Sequence, residues 1–251
     1  MSTYHILNGD CLNEQLPAAI SGERIIARLC LVDGPVVAAT DETLFKLRAT
    51  FISENYPGFS EKDYRNKTVS ELQRIKHLPE NATINLWFED DLFCQVNFWF
   101  VLHLIAQNNK KYTLNLVRPK IHSEYAFGEM SQVELMQAFD NKVVIMKKEQ
   151  TVLGKFWKLY QKNDLLQMLD LAKRVQLQFP FLLPATKAHQ DRLSEPGRPK
   201  TTILRIIQEL NTREFGPVFK VFCQQEKIYG FGDLQVRRLF DEVIKDLEAK
   251  A

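Results

Sequence analysis

The chain is poor in cysteine, and the four it has, Cys11, Cys30, Cys94 and Cys223, stand far apart with no C-x-x-C pair. That spacing argues against a disulfide framework and against a zinc knuckle, and it suits free thiols in a reducing cytoplasm, the expected location. Charge of one sign is lacking too. With 33 basic and 31 acidic residues the formal net charge is +2, which supplies no global field for gripping nucleic acid or an anionic membrane. Long apolar runs are absent: residues 92–106 fall short of the ~20 a membrane helix needs and contain Gln95, Asn97 and His103. A buried core helix is expected there, and no membrane partner. The first residues carry neither a basic start nor a long apolar stretch, so no export signal is expected. Glycine is sparse, and the single Gly9 is not the G-x-G-x-x-G fingerprint of an NAD or FAD fold.

What is present is an ordinary globular composition, 45% hydrophobic and 25% charged, with enough apolar material for a proper core. The 251 residues suit one domain with a smaller appendage. Strand signals over residues 4–7, 24–31, 83–88 and 112–117, with a short last one within 141–146, alternate with helical stretches. Strands separated by helices pair in parallel, which predicts an α/β, Rossmann-like, open and mostly parallel sheet. Ser131 and Glu134 have the spacing of a capping box. After residue 149 the strand signals stop. Helices are expected at 149–162 and 164–178, then three more near 200–211, 216–227 and 233–249, beyond a Pro- and Gly-containing linker at 194–199. The expected division is an α/β domain over 1–147, a helical connector over 148–195, and a small helix-turn-helix-like or winged-helix-like domain over 196–251.

In an open parallel sheet, ligands bind beyond the carboxyl ends of the strands. Three such ends carry carboxylates here: Asp10 after the first, Asp33 after the second, and Glu89, Asp90 and Asp91 after the third. Gathered in one cleft, they would hold a hard divalent cation or divide into a general acid and a general base. Asp10 and Glu89 are the candidate catalytic and metal-binding pair, with Asn8 orienting a substrate. The structural alternative is that these residues cap the following helices, since Asp10 and Asp91 stand where an N-cap is wanted. Gly9 suits a turn or a close backbone approach. His5 could present an imidazole base to the cleft or be a hydrogen-bonded core residue. Trp87 could stack on a ligand or pack in the core, and alternation along a strand puts Trp87 and Phe88 on opposite faces. Cys94 and Gln95 fall in the first turn of the next helix, where a thiol pKa can be depressed, but no histidine partner for a nucleophilic Cys94 stands out.

His5-Ile6-Leu7-Asn8-Gly9-Asp10, Asp33-Gly34-Pro35 and the ten residues Leu86-Trp87-Phe88-Glu89-Asp90-Asp91-Leu92-Phe93-Cys94-Gln95 resemble a bacterial family of uncharacterised proteins, the domain of unknown function numbered 1835, with its companion C-terminal region. Phe127-Gly128-Glu129 and Gly232-Asp233 extend the resemblance along most of the chain. The family pattern has histidine where this sequence has Asp90, which argues against a mechanism needing an imidazole there. The resemblance implies an architecture and marks the motif residues. It implies no activity.

Two functions follow as expectations. The first is a small-molecule or nucleotide site at Asn8, Asp10, Asp33 and Glu89, with Asp90 and Asp91 at its rim, and with metal-assisted hydrolysis as the reaction class. The second is a non-enzymatic regulatory role in which the last helices contact DNA or protein, Arg205, Arg237 and Arg238 being the candidate phosphate contacts. Acidic residues interspersed among these arginines are more typical of solvated helix faces.

Overall fold

The computed structural model describes residues 2–119 and 126–249. Five strands, β1 (Thr3–Leu7), β2 (Glu23–Ile26), β3 (Thr83–Trp87), β4 (Thr113–Val117) and β5 (Val143–Val144), form one sheet in the order β2-β1-β3-β4-β5. The first four are parallel and the two-residue β5 is antiparallel to β4. The fold is therefore α/β, with the Rossmann-like open sheet expected from the alternating pattern. Register aligns Ile26, Leu7, Trp87 and Val117 side by side, so the four parallel strands end at one level and their following residues leave from one edge.

Alternation sorts the side chains into two layers. Ile6, Ile25, Ile84, Leu86, Leu114 and Leu116 face a large core shared with α2 (Asp41–Asn55), α4 (Ser70–Lys76) and α5 (Leu92–Gln107). Leu7, Trp87 and Val117 face a smaller core with α1 (Asp10–Gln15) and α6 (Gln132–Asp140). Both faces are covered, which is why β3 and β4 are apolar almost throughout. The connection from α2 to α4 runs through a short α3 (Glu61–Asp63) and a π-helical turn at Tyr64–Val69. The capping box at Ser131 and Glu134 is formed, each side chain bonding the other's backbone N–H.

The second strand is shorter than its apolar run, 24–31, predicts. After Ala27 donates to the Leu7 carbonyl, the chain leaves the sheet and crosses toward α5. There the Asn97 side chain supplies what a neighbouring strand would have: its Oδ1 accepts from Leu31 N and its Nδ2 donates to Leu29 O. Leu29 and Leu31 thus stay buried without a ladder.

The stretch expected as a connector packs into the large core. From α7 (Lys147–Gln161), Phe156 stacks on Trp99 and Trp157 lies against Phe100, with ring centroids 5.1 and 4.8 Å apart. α8 (Leu165–Val175) and α9 (Leu182–Leu193) add Met168, Ala172, Leu182 and Ala188 to it. The last three helices, α10 (Arg198–Leu210), α11 (Phe215–Gln225) and α12 (Asp233–Glu248), enclose a core of their own around Ile203, Ile206, Phe222, Val236 and Phe240. No strand follows β5 among the described residues, so this unit lacks the wing of a winged helix. No described helix is long and apolar enough to cross a membrane.

Candidate functional site

In the order 2-1-3-4-5 the sheet reverses direction between β1 and β3, and the crevice beyond their carboxyl ends is the usual ligand position of such folds. Asn8 leaves β1 there and Phe88-Glu89-Asp90-Asp91 leave β3. Gly9 turns the chain with φ 105° and ψ 171°, a conformation that side chains resist, and caps α1 with its backbone. Asp91 is the N-cap of α5, its Oδ1 accepting from Cys94 N at 2.9 Å. This cap fixes Cys94 on the inner side of the first turn, and Asn97, three residues on, beneath it.

These groups form one hydrogen-bonded chain. Leu29 O and Leu31 N hold Asn97, Asn97 Nδ2 donates to Asn8 Oδ1 at 3.0 Å, and Asn8 Nδ2 donates to Cys94 Sγ at 2.9 Å. The Cys94 thiol donates to Glu89 Oε2 at 2.9 Å, and Glu89 Oε1 accepts from Phe127 N at 2.8 Å. Gln95 Nε2 fixes the Glu89 backbone through its carbonyl at 2.7 Å. Donor atoms of Glu89, Asp91 and Cys94 all lie within 4.8 Å of one another.

The electrostatics of this set are unfavourable as it stands. Burial raises the pKa of Glu89, against the lowering effect of its hydrogen bonds from Cys94 and Phe127. Burial, then the Glu89 charge, raises Asp91 to about 7. Burial and the two carboxylates push the Cys94 thiol well above its ordinary value. The first-turn position that could depress a thiol pKa is outweighed here, so Cys94 is a protonated donor, not a poised nucleophile.

The other acidic strand ends are neutralised by arginine. Asp10 accepts from Arg28 through both oxygens at 2.6 and 2.7 Å. It sits in the first turn of α1 instead of capping it, and lies outside the Glu89 cluster. Asp33 accepts from Arg238 of α12 at 2.5 and 3.0 Å and from the Tyr56 hydroxyl at 2.5 Å, so it ties the C-terminal helices to the sheet domain. Asp90 takes Arg118 through both oxygens, and that guanidinium lies 4.4 Å from the Phe181 ring centre. Glu89 and Asp91 have no arginine or lysine partner among the described residues.

His5 and Trp87 are fully buried and bonded to each other, the indole N–H donating to His5 Nδ1 at 3.1 Å. His5 Nε2 faces the Ser21 carbonyl at 3.1 Å, so it carries the proton and Nδ1 accepts. Both ring nitrogens are occupied and burial lowers the pKa, which makes His5 a neutral core residue and no base for the crevice. Trp87 packs against Phe127 and Phe139, not against open space.

Asn97, Gln95 and Arg118 were not singled out as site residues by sequence reasoning. Gln95 and Asn97 had a signal, since buried polar residues in an apolar helix are informative. Gly230 had none: with φ 62°, it brings the turn before α12 so close to Asp91 that an added Cβ would meet the carboxylate at 2.0 Å. Comparison with family models, with curated proteins and with solved structures finds no match for this chain.

Proposed function

We propose that the crevice between β1 and β3 binds a divalent cation through Glu89, Asp91 and Cys94, and through it a small anionic ligand such as a nucleotide. The observation that carries this reading is the contrast in compensation. Two carboxylates and a thiol share one cluster without a basic partner among the described residues, while the other acids that follow these strands, Asp10, Asp33 and Asp90, each have an arginine. A cation reverses the local pKa logic, because it favours the anionic form of each ligand and deprotonates a coordinating thiol. A mixed thiolate and carboxylate set suits zinc better than magnesium or calcium, which take oxygen ligands. When bound, such an ion polarises a substrate or activates a water, the chemistry of metal-assisted hydrolysis. Asn8, held from below by Asn97, orients Cys94 and presents an amide to the crevice.

The ten-residue resemblance to the family with domain of unknown function 1835 falls on residues 86–95, the segment that supplies all three ligands, and supports placing the function there. The unpaired cysteines agree with a reducing compartment such as the cytoplasm. The alternative, nucleic-acid contact through the last helices, has less support. Arg205 pairs with Glu209, Arg238 with Asp33 and Glu242, and Arg237 lies 3.6 Å from the Phe215 ring centre.

Chelator-treated protein titrated with Zn²⁺, Mn²⁺ and Mg²⁺ in a calorimeter tests the proposal. Zn²⁺ is expected to bind tightest with release of the thiol proton, and Co²⁺ to give a thiolate charge-transfer band that Cys94→Ser abolishes. Glu89→Gln is expected to weaken Zn²⁺ binding at least about tenfold, since even second-shell losses cost that much. Absence of saturable binding, or unchanged binding in both variants, would overturn it.

A further inference from the structure

A cavity of about 330 Å³ opens at the amino edge of the sheet, between the second half of α5, the start of β4 and the first turns of α7. Its inner wall is apolar, made by Leu102, Ile105 and Leu114, three buried side chains of the large core. Its rim is basic, with Lys110 and Lys111 from the loop before β4 and Lys147 from α7. No described residue that lines it is acidic. Leu102 lies ten residues beyond Leu92, the first residue of α5. That is roughly 15 Å along the helix, so this cavity is apart from the Glu89 cluster.

The lysines of other cavities are matched by acids: Lys76 bonds Asp41 at 2.7 Å and Lys200 bonds Glu242 at 2.7 Å. Here they are not. Lys110 Nζ donates to the Leu78 carbonyl at 2.7 Å, which fixes its position and leaves its charge uncompensated. Lys111 and Lys147 have no carboxylate partner among the described residues. Lys147 also stands in the first turn of α7, where the helix dipole disfavours a cation, and the acid of that turn, Glu149, is engaged by the Met146 N–H at 2.7 Å. Ammonium groups brought to one rim from two elements repel each other, and an anion between them relieves that repulsion. An apolar wall below an acid-free basic rim is complementary to a molecule that is apolar at one end and anionic at the other. No described arginine lines the cavity, so no guanidinium fork selects for phosphate, and the apolar wall sets the fit. At about 30 Å³ for each water-sized group, the space holds about ten heavy atoms.

We infer that this cavity binds a small amphipathic carboxylate, its aliphatic chain against Leu102, Ile105 and Leu114 and its anionic head at the lysine rim. The site does not depend on a cation at the Glu89 cluster. Its ligand joins the loop before β4 to the start of α7 and offsets the charge that both bring there.

The test is calorimetric titration of the full chain with sodium octanoate below its micelle concentration, in chelator and at ionic strength matched with sodium chloride. Saturable one-to-one binding is expected. Butanoate is expected to bind at least about tenfold more weakly, since each buried methylene is worth about fourfold in affinity. Neutral 1-octanol is expected to bind more weakly as well. Ala106 lines the cavity from an exposed position on α5, and Ala106→Phe, which fills the space, is expected to abolish binding. Lys111→Gln combined with Lys147→Gln is expected to raise the Kd for octanoate at least about threefold and to leave that for octanol unchanged. Lys173→Gln, on the exposed side of α8, is expected to change neither. Urea unfolding checks that the variants are folded, and if Ala106→Phe is not, the lysine pair carries the test. No saturable heat with octanoate, or a wild-type Kd in the folded cavity variants, would overturn the inference. Butanoate binding as tightly as octanoate would overturn the role of the apolar wall, and octanol doing so would overturn that of the lysines.

Discussion

Asp33 and Glu89 are acids that follow parallel strands, Asp33 seven residues after β2 and Glu89 two residues after β3, and the protein uses them in opposite ways. Asp33 is satisfied by a bidentate arginine and a tyrosine hydroxyl, and its charge is spent on joining two parts of the chain. Among the described residues Glu89 receives a thiol and one backbone N–H, next to a second buried carboxylate, and its ionised form is disfavoured. Local environments of the second kind weaken a fold, and they persist where something absent from the folded chain alone compensates them.

The contrast predicts opposite responses to loss of the carboxylate. The Asp33 side chain is 13% exposed, so Asp33→Ala removes a buried acceptor shared by Arg238 and Tyr56, leaving Arg238 with Glu242 alone. A loss of about 3 kcal/mol is expected, in the range for breaking one side of a buried pair. In chelator, Glu89→Gln keeps an acceptor for Phe127 N, removes a repelled charge, and is expected to cause no loss. Urea unfolding of both variants decides the matter, and equal destabilisation of the two would erase the distinction between the strand ends.

Titration sharpens the same comparison. A carboxyl whose pKa is raised in the folded state binds its proton more tightly there, so its stabilising contribution is complete below the unfolded pKa and is lost as pH rises through the folded one. For Asp91, raised from 3.8 to about 7, the window is pH 4 to 7. His189 acts in the reverse sense: burial lowers its pKa from 6.5 to about 3, so its contribution is lost as pH falls through that range. The wild-type curve adds these two to the other shifted groups, Glu89 and His5 among them, and Asp91→Asn isolates one contribution. In chelator the stability of Asp91→Asn relative to wild type is expected to rise by on the order of 2 kcal/mol between pH 4 and 7. Saturating Zn²⁺ is expected to abolish or reverse that trend, because the cation makes the ionised carboxylate the favoured form. Parallel pH curves for the two proteins in chelator would show that Asp91 is not under electrostatic stress.

The sequence made the stage legible more than the division of labour on it. Alternating strands and helices indicated the open sheet, and the acidic residues that follow β1 and β3 were recognisable as neighbours at one edge, while Asp33 falls seven residues past the end of β2. What decides their roles is which of them meets an arginine. Arg28 lies 18 residues from Asp10, Arg118 lies 28 from Asp90, and Arg238 lies 205 from Asp33. Such pairings depend on tertiary geometry and leave no local spacing to read. Cys94 was visible at its helix start, but its importance comes from Asn8, 86 residues away, and from a burial that turns the usual helix-terminus effect around. The length of β2 was misjudged for a related reason: Asn97 on a distant helix satisfies the backbone that a neighbouring strand would otherwise pair.

The smallest expected effect lies on the C-terminal helices. Arg205 and Glu209 form an i, i+4 pair whose side chains are 47% and 53% exposed, and Arg205→Ala is expected to cost no more than about 0.5 kcal/mol. Arg237→Ala loses its contact with Phe215 as well, for about 0.5 to 1 kcal/mol. Urea unfolding measures both, and a duplex DNA titration at two salt concentrations adds the functional arm. Affinity that falls in both variants, with a shallower salt dependence, would mean that these arginines leave their partners to meet phosphates. The expected result is a small change in stability and no change in the DNA titration. It would leave the strand ends as the place where charge is out of balance, since on the C-terminal surface Arg205 is already matched by a neighbouring acid and Arg237 by an aromatic ring.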